Sequence, residues 1–249
     1  MISNIYKRAD SVYFAQKVSR KIKGFYAPDD HNKEVEIIVH QREEICALLE
    51  KVEKVSVTKL LEYLDRCGFF YRPSAADRHH NFPGGLAEHS LGVYRIVEEW
   101  NNMSADERQQ SELYNRYLQN KDVSCDIFNE KMNADDMIIA SICHDLCKAD
   151  HYYFDGRIIK HHHRKPDERG HSWLSKRRLE DNGIMGDECK ELLLAVQNHM
   201  KLFSYTTNLS DAVTREQGRK SMLAIAVWVA DKADAAAYSP RRHQRKADK

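Results

Sequence analysis

The chain has no CxxC pair, no long apolar run and almost no charge excess, and each absence removes a class of protein. Its six cysteines, Cys46, Cys67, Cys125, Cys143, Cys147 and Cys189, are scattered through 249 residues. That spread speaks against a disulfide framework or a cysteine-ligated zinc site and fits reduced thiols. No apolar stretch approaches the roughly 18 residues of a membrane span, and the first residues lack a signal-peptide core. The expectation is a soluble, cytoplasmic chain with no membrane partner. Lys plus Arg number 39 against 38 for Asp plus Glu, so net charge gives no general attraction to nucleic acid. Ten glycines and five prolines are too few turn signals for a many-stranded fold.

What is present is helical spacing. Ile45, Leu48, Leu49 and Val52 share a face over 41–53, and Thr58 is placed to cap a helix that stops near Gly68. Leu86, Val93, Ile96, Val97 and Trp100 mark a helix over 85–100. Asn133 or Asp135 can start one through "MIIASICHDLCKA", which is apolar nearly all round, as a central buried helix is. Further helices are expected at 171–181, 187–200 and 219–237, while "EVEIIV" at 34–39 is ambiguous. One stretch departs from the pattern. "HYYFDGRIIKHHH" sets Asp155-Gly156 between β-favouring runs, which predicts a small hairpin near 151–163. The expected fold class is all-α, a helical bundle with that hairpin inserted. Residues 1–70 read as an N-terminal helical extension packed on the core, and 71–238 as the main domain. The basic tail 239–249, "SPRRHQRKADK", is expected to be disordered, with a weak nucleic-acid contact as its minority role.

The chemistry concentrates in "SICHDLCKAD" at 141–150. His144 and Asp145 stand side by side in an apolar run, where unpaired polar groups cost several kcal/mol, a rough figure. Taken alone, the pair allows either a buried His–Asp hydrogen bond or ligation of a cation, for which imidazole and carboxylate are ordinary donors. Other helices bear on the choice. His89 lies between Leu86 and Val93 on an apolar face, His199 follows Leu192, Ala195 and Val196, and Asp231 follows Ala224 and Val227. Ligand-type residues converging from separate helices are a common way to build a metal site in a bundle.

His89, the doublet His144-Asp145 and Asp231, in that order, resemble the H…HD…D signature of the HD-domain metal-dependent phosphohydrolase superfamily. His171 in "GHSWLSKRRL" and His199 in "NHM" match two further histidines of its binuclear members. The resemblance spans roughly residues 70–237. It implies one or two divalent transition metals drawn from Mn, Fe, Ni, Co and Zn. One ion would be held by His89, His144, Asp145 and Asp231, with Asp145 bridging to a second completed by His171 and His199. Asp234 competes with Asp231, which is preferred because it falls in the family's "AD" element. "HDLCK" is similar to the HDxGK form of cyclic-dinucleotide phosphodiesterases and HD-type 3′→5′ exoribonucleases, with Cys147 in place of glycine. "PSAADRHHNFPGGLAEHSLGV" looks like the approach to the HD domain in the exoribonuclease branch. The OB-fold that precedes it there has no counterpart in residues 1–70.

The implied reaction is hydrolysis of a phosphoester of a nucleotide or short oligonucleotide by a metal-activated water, so the expected partner is a phosphorylated small molecule or short oligonucleotide. Asp145 and Lys148 are the expected catalytic residues. Lys148 would neutralise phosphoryl charge, or else serve only as a helix C-terminal cation. Arg78, His79 and His80, together with Lys148, are candidates for binding substrate phosphate, the alternative for the first three being a plain polar loop. Arg157, Lys160, Arg164 and Lys165 with His161 to His163 form a basic cluster that would steer an anion or simply be solvated. Cys143 and Cys147 read as small core residues. Two other readings stand beside the hydrolase: a non-catalytic, metal-containing nucleotide-binding or regulatory module, and a di-iron oxygenase of the HD fold.

Overall fold

Pro28 opens the first turn of a long helix, and Asp29 and Asp30 place negative charge at its positive end. The computed structural model, which describes residues 4–161 and 170–238, begins with α1 (Asn4–Lys21) packed on this helix, α2 (Pro28–Leu49). The "EVEIIV" stretch is therefore helical. Val35, Ile38, Ile45 and Leu49 are buried at helical spacing, so the apolar face read over 41–53 is the second half of a longer element. α3 (Val57–Cys67) starts one residue before Thr58, with Ser56 at the N-cap position. It stops at Gly68, whose φ of 81° suits a residue without a β-carbon. Arg42 ties these helices together. Its guanidinium lies 2.8 Å from Asp10 and 2.9 Å from Asp65, and it sits over the rings of Phe14 and Phe70.

The centre is built from α4 (Gly85–Asn102), α7 (Ala134–Cys143), α10 (Lys190–Asn198) and α12 (Met222–Ala237), which pack on one another. α2 also packs against α4 and α7. Every residue from Met222 to Asp231 is buried, and α7 is buried from Asp136 to its end. Helices apolar all round sit where the sequence asks for them. Short α5 (Ala105–Gln110) and α6 (Glu112–Tyr117) follow α4. From α5, Arg108 reaches inward and donates to the carbonyls of Trp100, Asn101, Phe128 and Glu130 at 2.7–2.8 Å. It thereby satisfies backbone acceptors that the end of α4 leaves open.

After α8 (Lys148–His151) comes the hairpin, β1 (Tyr152–Asp155) against β2 (Ile158–His161), antiparallel, with Tyr152 opposite His161. Asp155 pairs with Ile158, so the two-residue loop is Gly156-Arg157 rather than Asp155-Gly156. α9 (His171–Asp181) and α11 (Leu209–Arg219) complete the bundle against α10. The helix expected over 187–200 divides into a 3₁₀ turn at Asp187–Cys189 and α10, and the one over 219–237 starts at Met222. The fold is the all-α bundle with a small hairpin that the spacing predicts. Arg164, Lys165, His162, His163 and the tail 239–249 lie outside the described residues. Among the described residues, no helix is long and apolar enough to cross a membrane.

Candidate metal centre

α7 does not run on through the His-Asp doublet. It ends at Cys143, and His144 occupies its C-cap position. The His144 ring explains the break: Nδ1 donates to the Ser141 carbonyl at 2.7 Å, the acceptor that continued helix would offer to the Asp145 amide. The chain then tightens into i→i+3 bonds, from Leu146 to Cys143 and from Lys148 to Asp145. His199 repeats the device at the end of α10, where Nδ1 donates to the Val196 carbonyl at 2.7 Å. Both rings thus turn Nε2 away from their own helix. Two helix C-termini, each carrying partial negative charge, lie beside these rings and favour a cation there.

Cys147 stands where the related HDxGK pattern has glycine. Its φ of −63° is an ordinary right-handed value, so no glycine is required. Its amide donates to Ser175 Oγ at 3.1 Å, and its thiol donates to the His171 carbonyl at 3.0 Å. Those bonds tie the doublet to the start of α9, where His171 is the first helical residue.

Asp145 is the centre of the arrangement, with its side chain 1% exposed. Oδ2 faces His89 Nε2 at 3.5 Å and His144 Nε2 at 3.4 Å. Oδ1 faces His199 Nε2 at 3.3 Å and His171 Nε2 at 3.7 Å. Asp231 Oδ1 joins the first group, 3.1 Å from His89 Nε2 and 3.8 Å from His144 Nε2. The donor atoms of His89, His144, Asp145 and Asp231 lie within 4.8 Å of one another, and so do those of Asp145, His171 and His199. Atoms about 2.0–2.2 Å from one ion are at most roughly 4.4 Å apart, so each set is close to the spacing a single cation imposes.

The charge state fits the same purpose. Burial works against the Asp145 carboxylate, but Lys148, at 2.5 Å, and then His144 hold it well below the usual carboxyl range. Burial lowers Lys148, and Asp145 more than restores it, so the ammonium stays charged. Burial would also lower His89, yet hydrogen bonds to Asp145, Asp231 and Asp234 push it well above its ordinary value. That reflects a surplus of negative charge that draws in positive charge. Burial lowers His144, and brings His171 down to about 4, which leaves imidazoles neutral and able to ligate. Asp145 Oδ1 and the Nε2 atoms of His171 and His199 are buried without a hydrogen-bond partner. Oδ2 has the Lys148 charge beside it, without hydrogen-bond alignment. Unpaired polar atoms of this kind are costly in a closed interior, and their lone pairs are what a divalent cation satisfies. The residues present fit the group.

The substrate-side residues are less uniform. Lys148 Nζ also reaches Ser74 Oγ at 3.5 Å, a contact that no motif announced. His79 packs its ring 4.8 Å from that of His89, and burial brings it down to about 4. His80 is buried, with its ring against Tyr238 and Phe82 and Nε2 3.6 Å from Asp234. It holds a positive φ of 54°, which no other non-glycine residue has among those described. Arg78 is exposed on the same loop, and no contact among the described residues ties it to the cluster. Asp234 is not merged with the first group. It meets the opposite side of His89, its Oδ2 2.6 Å from Nδ1.

A family model described as the HD domain matches residues 86–238, more than half of the chain. Comparison with curated proteins and with solved structures gives no match. HD domains are typically metal-dependent hydrolases, and the clusters around Asp145 are of the kind that can hold their divalent ions. With that match and this centre together, the chain belongs to the HD-domain family.

Proposed function

We propose that the chain is a metal-dependent phosphohydrolase that cleaves a phosphoester of a nucleotide or short oligonucleotide. The observation that carries this reading is Asp145, fully buried between two groups of imidazoles with the Lys148 ammonium at its side. His89, His144, Asp145 and Asp231 would hold one ion, and Asp145, His171 and His199 a second. Such an ion, when bound, lowers the pKa of a coordinated water toward neutrality and polarises a phosphoryl oxygen. Lys148 supplies a fixed positive charge beside the carboxylate, positioned to meet negative charge that grows on a phosphoryl group under attack. His79, at the His89 ring, and Arg78, exposed on the same loop, are candidates for the remaining phosphate contacts. Water adds across the P–O bond, and the leaving oxygen departs with a proton. A centre of six nitrogen and oxygen ligands suits Mn, Fe, Co, Ni or Zn. Residues 71–238 are the proposed HD domain, and 1–70 a helical extension, a reading supported by the packing of α2 on α4 and α7.

The test is turnover of protein loaded with Mn²⁺ or Ni²⁺ against nucleotides, cyclic dinucleotides and short RNA. Release of phosphate or of a nucleoside monophosphate is expected, abolished in Asp145→Ala. Loaded wild-type protein that opens no phosphoester in the panel would refute the proposal. Iron retained through anaerobic purification, with oxygen consumed instead, would favour the oxygenase.

A further inference from the structure

His89 carries a carboxylate on each side of its ring. Asp231 Oδ1 lies 3.1 Å from Nε2, and Asp234 Oδ2 lies 2.6 Å from Nδ1. The two aspartates are one turn apart on α12, so the helix clasps the ring from both ends. A third residue makes room. Gly92, one turn after His89 on α4, faces the Asp234 carboxylate: a β-carbon added there would lie 2.7 Å from its Cγ and nearer still to Oδ1. Any side chain at 92 therefore displaces Asp234.

We propose that Asp234 is a positioning residue that fixes the orientation of His89 and holds a proton on its Nδ1, and that Gly92 is the space that admits it. The inference rests on the reading of His89 as a metal ligand. A carboxylate oxygen accepts, so Nδ1 donates to Asp234 and keeps its proton, which leaves Nε2, on the side of Asp145 and Asp231, as the nitrogen that yields its proton to a bound ion. His144 and His199 obtain the same commitment from backbone carbonyls. His89, in contrast, lies inside α4 and not at a helix C-terminus, and its Nδ1 takes its acceptor from a side chain. A charged acceptor gives a shorter and stronger bond than a carbonyl and makes the imidazole a better donor to a metal. His80 meets the same Asp234 oxygen from outside at 3.6 Å, and Asp234 is only 16% exposed, so water has little access to that bond.

The experiment is calorimetric titration of metal-free wild type, Asp234→Ala, Asp234→Asn, Gly92→Ala and the Asp234→Ala/Gly92→Ala double variant with Mn²⁺ or Zn²⁺. Loss of such an orienting partner weakens metal binding by roughly 10–100-fold. Asp234→Ala is expected to show that loss, and Asp234→Asn, whose amide oxygen still accepts, a smaller one. Gly92→Ala removes no polar group and adds a helix-favouring methyl, so it is expected to fold and yet weaken binding as Asp234→Ala does. The double variant should bind no more weakly than Asp234→Ala alone, because both changes break one contact. Nitrogen-detected NMR gives a readout independent of metal: a downfield His89 Nδ1–H resonance in wild type, lost in Asp234→Ala and Gly92→Ala. Unchanged affinity in both single variants, or a further loss of similar size in the double variant, would overturn the inference while leaving the metal reading intact. Wild-type protein that takes up no metal would overturn both.

Discussion

Lys148→Met removes the ammonium 2.5 Å from Asp145 and keeps most of the side chain's volume. The carboxylate is 1% exposed and the lysine 12%, so the pair is buried and solvent does little to screen it. Removing one partner of a buried ion pair costs about 3–5 kcal/mol, because the other charge is left without compensation. His89, shifted toward its charged form with Nε2 3.5 Å from Oδ2, softens the loss, which favours the lower end, about 3 kcal/mol. For a chain of this length, 1 kcal/mol shifts the melting temperature by about 2–4 °C, so the variant should melt roughly 6–12 °C below wild type in chelator. A bound divalent ion supplies the missing charge. With saturating Mn²⁺ the gap should narrow to a few degrees, while phosphoester turnover stays far below wild type. Melting curves followed by circular dichroism, with and without metal, measure both quantities. Equal melting in chelator would show that Lys148 does not compensate Asp145, and a gap that metal leaves unchanged would show that the ion does not sit beside that carboxylate.

Arg108→Met should cost about 3–5 kcal/mol, because one buried cation serves four carbonyls and their charged hydrogen bonds are worth about 1.5–3 kcal/mol each before non-additivity. Urea unfolding measures it, and a loss under about 1 kcal/mol would refute the staple. Asn133→Ala removes the side-chain acceptor for the Asp135 and Asp136 amides at the start of α7 and should lower stability by about 1 kcal/mol in the same assay. Burial pushes the Cys46 thiol up to about 11 and those of Cys67 and Cys147 up to about 12, and raises Cys143 and Cys189 as well. Because the thiolate is the reactive form, a maleimide at pH 7 should label Cys125, the exposed cysteine, well before the others. Mass spectrometry should show one early adduct, and rapid labelling of Cys147 in folded protein would contradict its burial.

The parts of this structure that could be read from sequence are those where one helical period decides burial. α4, α9 and α12 stand close to where apolar spacing puts them, and the inward faces of His89, His199 and Asp231 follow from the same count. Periodicity said less where side chains compete with the backbone. Nothing in the apolar run of α7 reveals that the His144 ring takes the Ser141 carbonyl and ends the helix, which turns the doublet from two neighbours on a helix into a cap and a turn. β-branched "EVEIIV" leaves helix and strand open, and Pro28 with Asp29 and Asp30 was the signal that would have extended α2 back to its start. In the centre, Asp234 reads as a rival of Asp231 because both share a helix face. Their separate roles depend on which side of His89 each one meets, a property of α4 packing on α12. The Gly92 spacing, one turn beyond His89, could have hinted at that approach. Ser74 had no such signal, since its contact with Lys148 is made by a loop.

The central claim is that Asp145 joins two imidazole groups into one metal centre, and elemental analysis of purified, metal-reconstituted protein tests it most directly. Wild-type protein should carry between one and two divalent transition ions per chain, and Asp145→Ala should carry almost none, with its melting temperature no longer responsive to chelator. Wild type that takes up no metal, or Asp145→Ala that retains the wild-type amount, would contradict the account.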